Sequence, residues 1–209
     1  PPRLNSDPHD LAARLARRRS PTLLRPPRAW CLAIRASDTR ITEATASWVS
    51  TLEGKAKFNV ENALAAAAVA YSMGVSLEHI RQGLRTFTTS FFQAPGRCNV
   101  FDEHPFRVIV DYGHNPAAMT KMVELVQSLR HQRAIGVMMA PGDRKDEAIR
   151  EIGRIAAKAF DVIIAKEDSN RRGRPPGEVA RLLREAQAEG GLAPEKCHEL
   201  LTEREAIEL

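Results

Sequence analysis

Arg107-Val108-Ile109-Val110-Asp111 runs directly into Tyr112-Gly113-His114-Asn115-Pro116. A short apolar centre with a polar, glycine- and proline-punctuated exit is the pattern of a buried strand leading into a helix. Downstream the pattern repeats. Met119, Met122, Val123, Val126 and Leu129 share one helical face across residues 116–130, and residues 133–140 read as a second buried-type strand. Residues 144–160 align Ile149, Ile152, Ile155 and Ala156 on a helix, and residues 161–166 form a third strand. Helical spacing returns at residues 176–189 through Val179, Leu182, Leu183 and Ala186, and Thr202 with Glu205 gives a capping-box signal for a last helix. Strands alternating with helices specify an α/β fold with a mostly parallel sheet flanked by helices.

Upstream the pattern is less regular. A helix is expected at residues 8–19 and short strands at 22–25, 29–35 and 40–45, broken by Ser20-Pro21 and Pro26-Pro27. An alanine-rich helix follows at residues 60–73, stopped by Gly74, and Ser76 caps another that runs to Phe87. The change in pattern near residues 90–95 divides the chain into residues 1–93, the tail of one domain, and residues 94–209, a second one.

The 209 residues are 43% hydrophobic and 27% charged, the balance of a globular protein. The net charge of +5 raises the question of nucleic acid. Its densest run, Arg17-Arg18-Arg19, has no interleaved aromatics for base stacking and fits a solvated helix face, so nucleic acid is not an expected partner. No apolar run approaches a membrane span, and the polar first ten residues lack a signal-peptide core. Three widely spaced cysteines, Cys31, Cys98 and Cys197, suit a reducing cytoplasm, and no metal-ligand spacing occurs.

In an open parallel α/β sheet, ligands bind beyond the carboxyl ends of the strands. All three strand exits here are polar: residues 111–116, then Ala140-Pro141-Gly142-Asp143-Arg144-Lys145, then residues 166–174 with Glu167, Asp168, Arg171, Arg172 and Arg174. Each has a plainer reading. Asp111, Asn115 and Asp143 are all suited to capping the helices that follow, His114 to ordinary packing, and the 167–174 loop to a surface charge cluster.

Five ordered segments nevertheless resemble signatures of the Mur ligase superfamily. They are Leu4-Asn5-Ser6-Asp7; the helix start around Asn59-Val60-Glu61-Asn62-Ala63; Pro95-Gly96-Arg97; Asp111-Tyr112-Gly113-His114-Asn115-Pro116; and Gly142-Asp143-Arg144. Pro8 and Gly113 depart from the usual aspartate and alanine. Residues 96–101, 140–147 and 167–178 resemble most the branch that adds arginine to the aspartate side chains of a polyaspartate backbone.

The resemblance implies an ATP-dependent ligase that turns a carboxylate into an acyl phosphate and then an amide. Asn59 and Asn62 would meet adenine, Asp111 the ribose hydroxyls, and Asn115 the same cleft. Arg97 would face the γ-phosphate, and His114 would lie beside it as a second catalytic candidate. Gly142, Asp143, Arg144, Asp168 and Arg172 would hold the incoming amino acid, expected to be arginine, for transfer to a polyaspartate-type acceptor. The superfamily's glycine-rich phosphate loop is missing from these 209 residues. Most of the ATP and Mg2+ contacts are therefore expected in the rest of a larger, homo-oligomeric parent, and the isolated chain is expected to be inactive. The resemblance also leaves room for a non-catalytic docking module or for a peptidoglycan- or folate-type ligase.

Overall fold

The computed structural model describes Leu52 and residues 54–209. The expected helix at 8–19, the strands at 22–25, 29–35 and 40–45, and the Asn5–Asp7 exit lie outside the described residues.

Helix α1 (Lys57–Ser72) begins three residues before the expected start at Val60. It stops as its glycine dictates. Gly74 takes φ +85°, its N–H reaches the Tyr71 carbonyl, and the Val75 N–H reaches Ala70, the paired bonds of a Schellman motif. Helix α2 (Leu77–Thr86) starts where Ser76 accepts the His79 N–H through its hydroxyl.

Strands β1 (Asn99–Phe101) and β2 (Val108–Val110) form an antiparallel pair, with Val100 opposite Ile109. This corrects one expectation: the first strand of the alternating pattern does not join the parallel sheet. It pairs instead with β1 in a separate sheet, and periodicity alone does not choose a strand's partner. Helix α3 (Pro116–Ser128) follows, with Asn115 as its N-cap.

The parallel sheet consists of β3 (Ile135–Met138), β4 (Val162–Lys166) and β5 (Cys197–Leu200), in the order β3-β4-β5. Helix α4 (Asp146–Ala156) connects β3 to β4, and α5 (Glu178–Glu189) connects β4 to β5. Helix α6 (Glu203–Glu208) closes the described chain with the expected Thr202–Glu205 capping box. Central β4 buries Ile163, Ile164 and Ala165 in succession, as a strand covered on both faces should. At the edge, β3 alternates instead of being buried throughout. Met138 is in the core, while Ile135 and Val137 are 53% and 44% exposed. The expectation of a buried-type second strand is corrected accordingly: among the described residues, the face of β3 that carries Ile135 and Val137 is left partly open.

Helices α4 and α5 cross closely. A Cβ on Gly153 would lie 2.8 Å from both the Leu183 carbonyl oxygen and the Ala186 Cβ, so the glycine is what lets the two backbones approach. Ile149, Ile152 and Leu183 share one core cluster with Ile163 and Ala165 of the sheet. A second cluster joins Ala56, Cys98 and Leu125 and packs against the other side of α3. Two loop systems are thereby fixed: the β2–α3 turn facing α1, and the exits of β3 and β4 at the carboxyl end of the parallel sheet.

Candidate active site

A cleft of about 820 Å³ opens between α1, α2 and the β2–α3 turn. Its wall on α1 is made of Ala63, Ala66, Ala67 and Ala70, whose short side chains leave the volume empty. Asn59, Asn62, Arg97, Asp111, His114 and Asn115 all border it. Residues chosen from three separate stretches of sequence thus meet around one space.

The details divide these six by role. Asn115 is the N-cap of α3: its Oδ1 accepts the Ala118 N–H at 2.9 Å. The capping reading of Asn115 therefore stands, alongside its place in the wall. Asp111 caps no helix. Its Oδ1 accepts the Gly113 N–H at 2.7 Å and its Oδ2 the Cys98 N–H at 3.0 Å, which leaves each oxygen further accepting capacity toward the cleft. An alanine in place of Gly113 would bring its Cβ to 3.1 Å from Asp111 Oδ1, a tight approach that glycine avoids. Burial first, and the Asp111 charge second, push the Cys98 thiol up to about 11. Arg97 lays its guanidinium 5.4 Å from the centre of the Tyr112 ring, held by a cation–π contact. The His114 ring tilts against the same Tyr112 ring, with centroids 5.0 Å apart and Nδ1 3.3 Å from the Tyr112 carbonyl oxygen.

The backbone carrying Arg97 is itself secured by Asn99, which is 1% exposed. Asn99 accepts the Gly96 N–H at 2.6 Å and donates to the carbonyls of Thr89 (2.7 Å) and Ala94 (2.9 Å). The Gly96 carbonyl in turn accepts the Tyr112 N–H at 2.8 Å.

The expected amino-acid residues gather separately, at the exits of β3 and β4. Arg172 pairs with Asp143 at 2.7 Å, which holds the guanidinium above its usual range and the carboxyl below its own. Gly142 is where the two loops touch: a Cβ there would sit 2.2 Å from the Arg171 carbonyl oxygen. The β4 exit is shaped by its own side chains. Asp168 Oδ1 accepts the Asn170 N–H and Asn170 Oδ1 accepts the Arg172 N–H, while Arg172 and Gly173 take φ +51° and +89°. Arg174 bonds Asp146 and Glu178. Glu167 is 7% exposed, and one of its oxygens accepts the Ala180 N–H at 3.0 Å. It thereby satisfies the first turn of α5, whose N-cap, Gly177, offers no side chain. The simple surface cluster, in which Glu167 and Asp168 pair with the arginines beside them, is not what forms. Among the described residues, Arg144, Lys145, Glu167, Asp168 and Arg171 make no ion pair in these loops, while Asp168 acts electrostatically on Arg172.

Sequence reading gave no role to Tyr112, to Arg174 or to Lys121, which also borders the cleft. Tyr112 was within reach, lying between two selected residues. Arg174 was not, because all its side-chain partners but Glu178 lie about thirty residues away.

Residues 96–209 match the family model for the Mur ligase glutamate ligase domain. The chain belongs to the Mur ligase family. Cyanophycin synthetase from Synechocystis sp. is 47% identical over 144 residues, 69% of this chain and 16% of that protein. This is the branch that residues 96–101, 140–147 and 167–178 resemble. Among solved structures, MurF from Acinetobacter baumannii matches 72% of the chain and 29% of its own length, with a TM-score of 0.52 and 27% identity. Mycobacterium tuberculosis folylpolyglutamate synthase complexed with ADP shares the fold, with a TM-score of 0.58 at 23% identity over 72% of this chain and 32% of its own. The chain spans 15 to 18% of the length of the cyanophycin synthetases it matches. This Mur ligase domain shows no helix, among its described residues, long and apolar enough to cross a membrane.

Proposed function

We propose that the chain is the nucleotide-closing and amine-presenting part of an ATP-dependent acid–amino-acid ligase, which joins the α-amine of arginine to aspartate side chains of a polyaspartate-type acceptor. One observation carries the reading: Asn59, Asn62, Arg97, Asp111, His114 and Asn115, picked from three separate stretches of sequence by their resemblance to Mur ligase signatures, line a single cleft. The 47% identity to a cyanophycin synthetase supports the choice of substrates.

In this reading residues 1–93 end the central nucleotide-binding domain and residues 94–209 form the closing one. Asn59 and Asn62 each offer both a donor and an acceptor to a purine edge. Asp111 receives the ribose hydroxyls on the lone pairs that Cys98 and Gly113 leave free. Arg97 leaves the Tyr112 ring to meet charge growing on the transferred phosphoryl group, and His114 borders the same space. ATP supplies the phosphoryl group that activates the acceptor carboxylate. No three His, Cys, Asp or Glu side chains converge among the described residues. The Mg2+ that accompanies ATP is assigned mainly to the part of the ligase that carries the phosphate loop.

At the amine end, Arg144 takes the α-carboxylate through two parallel hydrogen bonds and Asp168 takes the guanidinium. Asp143 and Arg172 satisfy each other and frame the space between them, and Gly142 lets the loops close. The test is ADP release by the full-length ligase with arginine, lysine or citrulline as the amine, in wild type and in Asp168→Asn. Arginine should be preferred to citrulline, and Asp168→Asn should raise its KM by about tenfold, the loss of one charge-assisted contact. Equal use of arginine and citrulline by the wild type sinks the reading.

A further inference from the structure

Arg174 has a side chain only 17% exposed, yet it touches neither Asp168 nor the Asp143–Arg172 pair. Its Nε donates to the Gly142 carbonyl at 2.7 Å and its Nη2 to the Arg144 carbonyl at 2.7 Å. The same Nη2 meets Asp146 at 2.7 Å, and Nη1 meets Glu178 at 3.2 Å. The two carbonyls belong to the β3 exit, the two carboxylates to the first turns of α4 and α5, and the arginine itself to the β4 exit. Its own N–H returns to the Arg171 carbonyl at 3.1 Å, beside the point where Gly142 meets that same oxygen. A planar guanidinium with five donors can reach all four groups at once; an ammonium cannot.

Two consequences follow from the charges. Asp146 and Glu178 share the single positive charge of Arg174, and each has a carboxylate oxygen engaged by it. Arg174, having met two carboxylates, does not compete with Arg144 for a ligand's carboxylate. What it fixes is the backbone on which Arg144 stands, opposite the loop that carries Asp168.

We infer that Arg174 is the positioning residue of the amine site, a buried clamp that holds the β3 and β4 exit loops at the separation where Arg144 and Asp168 grip the two ends of a basic amino acid. This rests on the ligase reading above. It assigns selectivity for the amine to a residue that never contacts it.

The experiment has two arms, each run with Arg174→Gln and Arg174→Lys. In the full-length ligase, Arg174→Gln should raise the KM for arginine about tenfold, while kcat and the KM for ATP change less than about threefold, the signature of lost ground-state positioning. Arg174→Lys should fall between, because one ammonium cannot bridge both carbonyls. In the 209-residue chain, amide hydrogen exchange should quicken at Arg144 and Arg174 and stay unchanged at Ile152 and Leu183 in the adjoining helices. An unchanged arginine KM, or an ATP KM rising in step with it, overturns the proposal. So does exchange that quickens everywhere, which would mark Arg174 as a general stabiliser. A wild type with no arginine-dependent ADP release removes the ligase reading; the exchange arm still decides whether Arg174 clamps the loops. Should Arg174→Gln not fold, Arg174→Lys carries both arms.

Discussion

The Oδ2 of Asp111 accepts the backbone N–H of Cys98 at 3.0 Å, across thirteen residues of chain. Cys98 is 2% exposed and holds φ +51°, a left-handed conformation that only surrounding contacts maintain in a residue with a side chain. Asp111 therefore supports the turn that carries Arg97 as well as bordering the cleft. Asp111→Ala orphans a buried N–H, and we expect it to lower the stability of the chain by about 1–3 kcal/mol in urea denaturation. In the full-length ligase the same change should weaken ATP binding. Stability equal to wild type would mean that the Cys98 turn does not depend on this carboxylate.

The Cys98 thiol adds a pH dependence. Its folded-state value, about 11, lies above the ordinary 9.0 because burial, and then Asp111, disfavour the thiolate. The folded chain therefore holds this proton more tightly than the unfolded one. The resulting stability is complete below pH 9 and is lost as the pH climbs toward 11, on the order of 2 kcal/mol. Cys98→Ser should flatten that part of the stability profile. A thiol reagent at pH 8 should label Cys98 slowly in the folded chain and rapidly in urea.

Asn99→Ala removes three hydrogen bonds from a buried position. A loss of about 2–4 kcal/mol is expected. Amide exchange should quicken first at Gly96, whose N–H loses its acceptor. Protection retained there would show that the connection is held by other contacts.

Gly142→Ala places a Cβ 2.2 Å from a carbonyl oxygen, so the exit loops must separate. With the core of α4, β4 and α5 beneath them intact, the expected result is a folded protein with a raised arginine KM and a nearly unchanged ATP KM. Wild-type kinetics in this variant would mean that the loops sit elsewhere during the reaction.

Arg97→Ala should lower kcat of the full-length ligase by about tenfold or more, with little change in ATP affinity. Tyr112→Leu, which removes the ring beneath the guanidinium, should give a smaller effect in the same direction. A purely structural Arg97 would show its loss in thermal stability instead.

The helices and β4 were legible because their side chains follow a clear period: Ile149, Ile152 and Ala156 on α4, the Ile163–Ala165 run on β4, and the Thr202–Glu205 box. Strand β5 was not foreseen, since Cys197-His198-Glu199-Leu200 has only Cys197 fully buried and little apolar alternation. Leu125 escaped the single face drawn through Met119 and Val126 because α3 is covered on two sides, the second by Ala56 and Cys98. The partner of β2 could not be read from a run of valines. Within the site, local motifs located the cleft residues, whereas Arg174 and the buried cap of Glu167 depend on contacts that only the folded chain creates.

The bonds that hold the cleft wall run through Thr89, Gly96, Cys98, Asn99, Asp111 and Asn115, and those that hold the exit loops through Gly142, Asp143, Glu167, Arg172 and Arg174. No residue belongs to both sets. Arg172 is still within electrostatic reach of Tyr112, so substitutions in the two sets should combine additively except at that pair. In the proposed ligase reading, the amine site at positions 144 and 168 can therefore be altered while the nucleotide cleft keeps its framework.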